Sequence, residues 1–189
     1  KTLILMGVDP ALWEMIYSFL RNREFLSACG IPVPEAYAEF AEHGIALIED
    51  LGDIRVLEAV TELPHHRDQL YERVIDLLVR MHRMPTKETS LCPALGLHFD
   101  VEKYLYEFGF HVDHWVLDQY CSATLSEQER STLDACFLLI SETLASQPRV
   151  FTHRDFQSTN IMVRPDGALG LVDFQDARQG LRQYDLASL

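Results

Sequence analysis

Three short apolar runs near the C-terminal end, separated by polar segments, constrain the fold of this chain most. The runs are Val150–Thr152, Ile161–Val163 and residues 169–172, and each has the length of a short strand. Residues 164–167 read Arg-Pro-Asp-Gly, a composition typical of a tight turn. The pattern therefore predicts a strand, a polar loop and then a β-hairpin.

Three oxygen-bearing side chains lie around this predicted hairpin. Asp155 is in the loop before it, Asn160 directly precedes its first strand, and Asp173 closes its second strand. Because the two open ends of a hairpin meet, we expect Asn160 and Asp173 to lie close together. Carboxylate and amide oxygens are ligands that Mg²⁺ favours alongside phosphate and water. The hairpin therefore predicts a Mg²⁺ site next to Asp155.

This arrangement suits phosphoryl transfer from a nucleotide such as ATP. A phosphoryl group in transfer spreads negative charge over its oxygens, so catalysis consists mostly of metal neutralisation and positioning of the attacking hydroxyl. Asp155, at the edge of a sheet, is the candidate general base for that hydroxyl. The alternative is a strand, loop and strand in which Asp155 and Asn160 only stabilise turns.

The order of polar residues resembles the aminoglycoside phosphotransferase branch of the protein-kinase-like fold: His153, Asp155, Asn160, Asp173, Gly180 and Asp185. The resemblance implies an α+β, two-lobed fold. Residues 1–53 would form a partial N-lobe with a small antiparallel sheet, one helix and an interlobe hinge. Residues 54–189 would form a mainly helical C-lobe that carries the catalytic loop and the metal-binding hairpin and continues in further helices past its last residue.

The same resemblance implies a role for each matched side chain. Asp155 corresponds to the catalytic base, and Asn160 and Asp173 correspond to the metal ligands. His153 corresponds to the residue that braces the catalytic loop, and Asp185 to the buried carboxylate that holds the backbone of that loop.

Two positions depart from the patterns of the wider superfamily. Arg154, which we group with the catalytic residues, stands where most small-molecule kinases of this family have glycine. Gln175 stands where protein kinases have the glycine of their Asp-Phe-Gly turn. A typical protein kinase is therefore not expected.

The segments that flank the loop, residues 146–151 and 172–177, look like those of bacterial kinases that phosphorylate the anomeric hydroxyl of N-acetylmuramate and N-acetylglucosamine. The resemblance implies ATP and Mg²⁺ as cofactors and a small-molecule hydroxyl acceptor, most simply an amino sugar. Aminoglycosides and amino alcohols such as choline or homoserine stay open as acceptors, and so does the oligomeric state.

The first part of the chain has the pattern of a kinase small lobe without its first hairpin. We expect strands at residues 1–6, 35–40 and 44–48 and a helix at 11–29 that ends at Gly30. The chain has no Gly-x-Gly-x-x-Gly motif and no lysine inside the first strand. Either the chain is incomplete or it holds phosphate differently, and a non-catalytic nucleotide-binding scaffold is the rival to an enzyme.

The stretch from residue 46 to 53 resembles the interlobe hinge of the family. There the exposed backbone of Ile48, Glu49, Asp50 and Leu51 would pair with the edge of adenine. The alternative is an ordinary strand followed by a turn at Gly52.

Three helices are predicted in the middle of the chain, at residues 67–84, 102–120 and 126–146, the last opened by a capping box of Ser126 and Glu129. The segment 99–119 mixes aromatic and acidic residues, of which Asp113 and Trp115 are the candidates for binding a sugar acceptor. The alternative is an amphipathic helix with aromatic residues toward the core and acidic residues toward water.

Composition narrows the class of protein. The chain has 189 residues, 48% hydrophobic and 24% charged, without a segment apolar enough to cross a membrane. A net charge of −13 argues against nucleic acid or an anionic membrane as partner; it favours either a cationic substrate or an ordinary acidic protein. Four scattered cysteines predict buried thiols, which suits a cytoplasmic enzyme.

Overall fold

The structure is a computed structural model that describes residues 2–9, 12–87, 92–122 and 124–189. The chain divides into two compact units: the larger comprises Lys1–Leu97 and Arg149–Leu189, and the smaller comprises His98–Pro148. The predicted lobe boundary at residue 53 lies inside the larger unit, so the division into two units does not test it and that boundary stays a prediction.

A three-stranded antiparallel sheet lies in the first part of the larger unit. Its strands are β1 (Leu3–Gly7), β2 (Ala36–Phe40) and β3 (Ile45–Glu49), in the order β1-β3-β2. In β3 the side chains of Ala46 and Ile48 are buried, as expected for alternate residues on one face of a strand. The three predicted strands are confirmed, although Lys1 lies outside the described residues.

Helix α1 (Trp13–Ala28) turns one face toward the core of the larger unit. It ends at Ala28, and Gly30 follows with a φ of +75° that is available to glycine at little cost, while the amide of Ile31 donates to the carbonyl of Leu26 at 2.9 Å. The predicted helix with its stop at Gly30 is confirmed, and its expected first residue, Ala11, lies outside the described residues.

The other helices of the larger unit are α2 (Val56–Glu62), α3 (Arg67–His82), α4 (Pro93–Gly96) and α7 (Arg182–Ser188). The apolar stripe predicted for α3 is buried: Leu70, Val74, Leu77, Leu78 and Met81. The stripe joins the core that also contains the buried residues of α1.

Two pairs of short antiparallel strands flank the polar loops. Strand β4 (Val150–Thr152) pairs with β7 (Arg178–Gly180), and β5 (Ile161–Val163) pairs with β6 (Leu169–Leu171), both antiparallel. The amide of Gly167 donates to the carbonyl of Arg164 at 2.8 Å, so the predicted tight turn is confirmed.

The smaller unit consists of α5 (Val101–Gly109), a π-helix (Phe110–Cys121) and α6 (Glu127–Ala145). The helical extent predicted over residues 102–120 is confirmed, but beyond Gly109 the backbone widens into the π form, a change that the 3.6-residue pattern of the sequence does not encode. The predicted capping box of α6 is confirmed, because Ser126 Oγ accepts from the amide of Glu129 at 3.3 Å and Glu129 Oε2 accepts from the amide of Ser126 at 2.8 Å.

The cysteines are free thiols with different environments. Cys92 is buried and Cys29 is half-buried, but Cys121 and Cys136 are exposed, so the prediction of buried thiols was wrong for these two. Both lie in helices of the smaller unit on faces open to solvent, which spacing alone does not distinguish from inward faces. Within the described ranges, none of the helices combines the length and apolar character that crossing a membrane requires.

Candidate active site

The loop between β4 and β5 is held by a carboxylate from α7. Asp185 is fully buried, and its two oxygens accept from consecutive backbone amides, those of His153 at 2.8 Å and Arg154 at 2.9 Å. Both oxygens are thereby used, which orients the backbone where the loop leaves β4. The Nε2 of His82 lies 3.8 Å from the same carboxylate.

His153 connects this loop to the second hairpin. Its fully buried ring donates from Nε2 to the carbonyl of Val172 at 2.8 Å, and its Nδ1 accepts from the amide of Asp155 at 3.3 Å. This pattern requires the neutral Nε2–H tautomer. Burial lowers the pKa of His153 more than the nearby Asp185 carboxylate raises it, so the ring is neutral at pH 7.

Arg154 has a φ of +80°, in the left-handed region that favours glycine. A glycine at this position would adopt this angle without strain. The predicted catalytic role of the guanidinium stays a prediction.

Asp155 follows directly and presents its carboxylate to solvent. The Asp155 carbonyl accepts from the amide of Gln157 at 2.8 Å and from Asn160 Nδ2 at 2.9 Å, which closes the loop. Its carboxylate oxygens have no hydrogen bond or ion pair within the described ranges 2–9, 12–87, 92–122 and 124–189. The carboxylate is therefore free to accept a proton from a hydroxyl.

The structure brings Asn160 and Asp173 together, as the hairpin pattern predicts. Their backbones are linked by the amide of Val172, which donates to the carbonyl of Asn160 at 3.1 Å. Their side chains meet where Asn160 Nδ2 lies 3.4 Å from Asp173 Oδ2. Asp173 has a φ of +66°, a left-handed conformation that aspartate tolerates better than most residues, and Gln175 Nε2 donates to its Oδ1 at 2.7 Å.

The donor set of this pair fits a hard cation. Asp173 is exposed and supplies carboxylate oxygens, and the two hydrogen bonds that Asn160 donates through Nδ2 leave its Oδ1 oxygen for a ligand. Two protein oxygens are few for a dedicated cage, but Mg²⁺ in phosphoryl-transfer sites takes one or two protein ligands and completes its shell with phosphate and water. No cluster of three acidic, histidine or cysteine side chains suited to a metal occurs among the described residues.

The predicted hinge is attached to the metal-site hairpin by two contacts. Glu49, buried at the end of β3, forms a two-pronged ion pair with Arg164 of the hairpin turn, at 2.6 and 3.4 Å. Leu51 is buried against Gly170 of β6.

The backbone of the predicted hinge is partly occupied. The amide of Glu49 donates to the carbonyl of Glu35, next to β2, at 2.8 Å, so this amide is already hydrogen-bonded within the protein. Asp50 accepts from the amide of Gly52 at 2.9 Å in a short turn, and Ile48 is buried. Pairing of adenine with this segment stays a prediction. The backbone groups that follow Glu49 would form the hydrogen bonds to adenine.

The candidate acceptor residues lie in the smaller unit. Asp113 accepts from Arg130 at 2.7 Å, and Trp115 is half exposed on the π-helix. The structure therefore places them in a different unit from the catalytic loop, and their role in binding an acceptor stays a prediction.

Sequence reasoning missed Asn22, a fully buried residue of α1 that contacts the turn after Asp173. Its Nδ2 donates to the carbonyls of Phe174 at 3.2 Å and Gln175 at 3.3 Å. The available signal was a polar residue on an apolar face, since Asn22 lies three residues after Phe19 and four before Leu26, both buried.

This architecture, a small antiparallel sheet with one helix and a catalytic-loop hairpin in a helical surrounding, is that of the protein-kinase-like phosphotransferases. Among solved structures, aminoglycoside phosphotransferase APH(2'')-Ib bound to ADP superposes with a TM-score of 0.68 at 16% identity, over 97% of this chain and 62% of that one. A likeness at this identity establishes the fold.

The chain belongs to the phosphotransferase enzyme family, whose model matches residues 1–189. The N-acetylmuramate/N-acetylglucosamine kinase of Pseudomonas aeruginosa is 29% identical over 190 residues, covering 100% of this chain and 53% of that protein. The kinase of the same name from Caulobacter vibrioides is 30% identical over 185 residues, covering 91% and 48%. The chain thus spans about half the length of the curated relatives it matches.

Proposed function

We propose that the protein transfers the γ-phosphoryl group of ATP to a hydroxyl of a small amino sugar. The observation that carries the proposal is that Asp155, Asn160 and Asp173 lie together. The side-chain amide of Asn160 donates from Nδ2 to the Asp155 carbonyl at 2.9 Å and to Asp173 Oδ2 at 3.4 Å.

In this mechanism Asp155 accepts the proton of the acceptor hydroxyl as its oxygen attacks phosphorus. Asn160 and Asp173 would hold Mg²⁺, which when bound neutralises the phosphate oxygens of the nucleotide. His153 and Asp185 keep the loop in place through the backbone of residues 153–155 and of Val172.

The acceptor class is inferred from the relatives. Those of Pseudomonas aeruginosa and Caulobacter vibrioides are named for N-acetylmuramate and N-acetylglucosamine, and the family match covers the catalytic loop. We therefore propose these N-acetylated sugars as the acceptors to test first, with aminoglycosides and amino alcohols as comparisons.

Two substitutions separate the proposed roles. Asp155→Asn keeps the size of the side chain and removes the base, so we expect turnover to fall about 10²- to 10⁴-fold with nucleotide affinity retained. Asp173→Asn keeps a residue that tolerates the left-handed backbone and removes the charge, so we expect Mg²⁺-dependent nucleotide affinity to fall.

The measurement is phosphate transfer to the sugar panel, read by mass, together with a thermal-shift titration of ATP with and without Mg²⁺. Wild-type turnover in Asp155→Asn would reject its role as base. Mg²⁺-dependent binding without transfer to any acceptor would instead support the rival hypothesis of a nucleotide-binding scaffold.

A further inference from the structure

Asn22 is a polar side chain in the middle of an apolar helix face, and its hydrogen bonds join the turn after Asp173 to the start of α4. It is 0% exposed, and its Nδ2 donates to the carbonyls of Phe174 and Gln175 at 3.2 and 3.3 Å. On its other side, Oδ1 accepts from the amide of Ala94 at 3.2 Å and lies 3.5 Å from Cys92 Sγ. Burying an amide without such partners is costly, so these hydrogen bonds compensate for the burial of Asn22 and link α1 to both segments.

The two carbonyls belong to the residues directly after Asp173, the proposed metal ligand. The turn they form begins with a left-handed residue, because Asp173 has a φ of +66°. Such a backbone persists only where neighbouring groups hold it. The two bonds from Asn22 act on the peptide carbonyls of this turn from inside the core, whereas Gln175 and Asn160 contact the Asp173 side chain.

A second contact from the same helix face acts on the same turn. Phe19, one turn before Asn22, stacks on Phe174 with ring centroids 4.8 Å apart and an interplanar angle of 13°. This stacking fixes the side chain of Phe174 but leaves the orientation of its carbonyl undetermined. The amide of Asn22 supplies that orientation, since only an asparagine-like group here donates to both carbonyls and accepts from Ala94.

We propose that Asn22 is a positioning residue that holds the Asp173–Gln175 turn so that the Asp173 carboxylate binds the metal ion of the nucleotide. The proposal rests on the proposed function and adds a residue of α1 to it. Asn22 acts through the turn and does not itself contact nucleotide or metal.

The test is a Mg²⁺ titration of nucleotide binding by the purified protein, wild type against Asn22→Leu. Leucine has a similar shape and removes all the hydrogen bonds. We expect the Mg²⁺ concentration for half-maximal binding of ATP to rise about 10- to 100-fold, the range seen when groups that orient metal ligands are removed. Binding of ATP in the absence of Mg²⁺ should change little, a difference that general destabilisation does not produce.

Leu26→Ala is the matched control, because Leu26 is fully buried one turn further along the same helix and its side chain makes no hydrogen bond to the turn. This variant should lose stability and keep the wild-type Mg²⁺ midpoint. If Asn22→Leu does not fold, Asn22→Ser, which is too short to bridge the turn after Asp173 and the start of α4, takes its place in the titration. A wild-type midpoint in the folded Asn22 variant would overturn the proposal.

The outcome for the wild-type protein separates this proposal from the proposed function. Mg²⁺-dependent ATP binding by wild type with an unchanged Asn22 variant overturns the role of Asn22 alone. Absence of Mg²⁺-dependent ATP binding in wild type overturns the proposed function, on which the role of Asn22 rests.

Discussion

At Arg154 the left-handed backbone favours glycine, whereas the predicted catalytic role requires the guanidinium group. Its amide is fixed by Asp185 at 2.9 Å, and its φ of +80° costs a non-glycine residue about 1–2 kcal/mol. Such a backbone persists where neighbouring groups hold it, as Asp185 does here, and the role predicted for the side chain is in catalysis.

Substitution of Arg154 by glycine and by alanine separates the two demands. Both variants remove the guanidinium, but only Arg154→Gly relieves the left-handed backbone, so we expect it to be more stable than Arg154→Ala by about 1 kcal/mol. If the guanidinium acts in catalysis, both variants lose kcat equally. Denaturant unfolding and steady-state kinetics measure the two effects, and equal stability of the variants would contradict the strain argument.

His153 predicts a specific pH dependence of stability. Because burial lowers its pKa in the folded state, the unfolded chain binds a proton below pH about 6.5 that the folded protein does not. The stability that this site contributes is therefore complete above pH about 6.5 and is lost as the pH falls below that value, by at most about 1.4 kcal/mol per pH unit until the folded ring also protonates.

Urea unfolding of wild type and His153→Gln between pH 7.5 and 5.0, values chosen to bracket a pKa of about 6.5, measures this slope. The variant should show a weaker loss of stability with falling pH. His66→Gln, the same substitution at an exposed histidine, is the matched control. The same slope in His153→Gln as in wild type would show that the ring titrates normally in the folded protein.

Among the secondary-structure elements, the most informative contact joins β3, with the segment after it, to the hairpin of β5 and β6. The ion pair of Glu49 with Arg164 joins the end of β3 to the hairpin turn, and Leu51 packs on Gly170 of β6. The predicted nucleotide-binding segment and the predicted metal site are therefore parts of one packed structure.

Gly170→Ala tests this packing. A Cβ at Gly170 would lie 2.7 Å from Leu51 Cδ1, and Leu51 is 4% exposed, so its side chain has little room to move. We expect a loss of about 1–2 kcal/mol in the free energy of unfolding, as overpacking commonly causes. The KM for ATP should rise as well, because Leu51 belongs to the predicted hinge.

A double-mutant cycle with Leu51→Ala isolates the contact, since the double variant should be less destabilised than the sum of the two single variants. Gly109→Ala is the control, because an added Cβ there meets nothing within 4 Å. Strict additivity of the two changes would show that the side chain of Leu51 does not oppose a larger residue at position 170.

For the whole molecule, the relevant property is a net charge of −13. Such a charge repels anionic acceptors and attracts cationic ones over a distance set by the Debye length, which falls from about 30 Å at 0.01 M to about 8 Å at 0.15 M ionic strength. Three of the candidate acceptors differ in charge: N-acetylmuramate is an anion, N-acetylglucosamine is neutral and aminoglycosides are cations.

The salt dependence of kcat/KM for the acceptor at saturating nucleotide should therefore differ among the three. We expect it to rise with salt for N-acetylmuramate, to stay constant for N-acetylglucosamine and to fall for an aminoglycoside. The neutral sugar is the internal control for effects of salt on the enzyme itself. A value for N-acetylmuramate that falls with salt would indicate a local positive field at the acceptor site.

The sequence by itself determined the local parts of this protein. Strands β1 to β6, the stop of α1 at Gly30, the capping box of α6 and the meeting of Asn160 with Asp173 all depend on residues close together in the chain, where periodicity and turn chemistry decide the structure. The family motif then indicated that the loop between β4 and β5 is the predicted catalytic loop. The family's roles for the individual side chains stay predictions, which the proposed substitutions test.

The tertiary structure alone decided which distant residues support the hairpin of β5 and β6 and the turn that follows it. Asn22 reaches the turn after Asp173 across 152 residues of sequence, and Glu49 reaches Arg164 across 115. No local pattern encodes such pairs, because they depend on which faces of α1, β3 and the hairpin pack together once the apolar residues are buried. The same reason explains why two thiols predicted to be buried are exposed, since a helical pattern does not show which face meets the core.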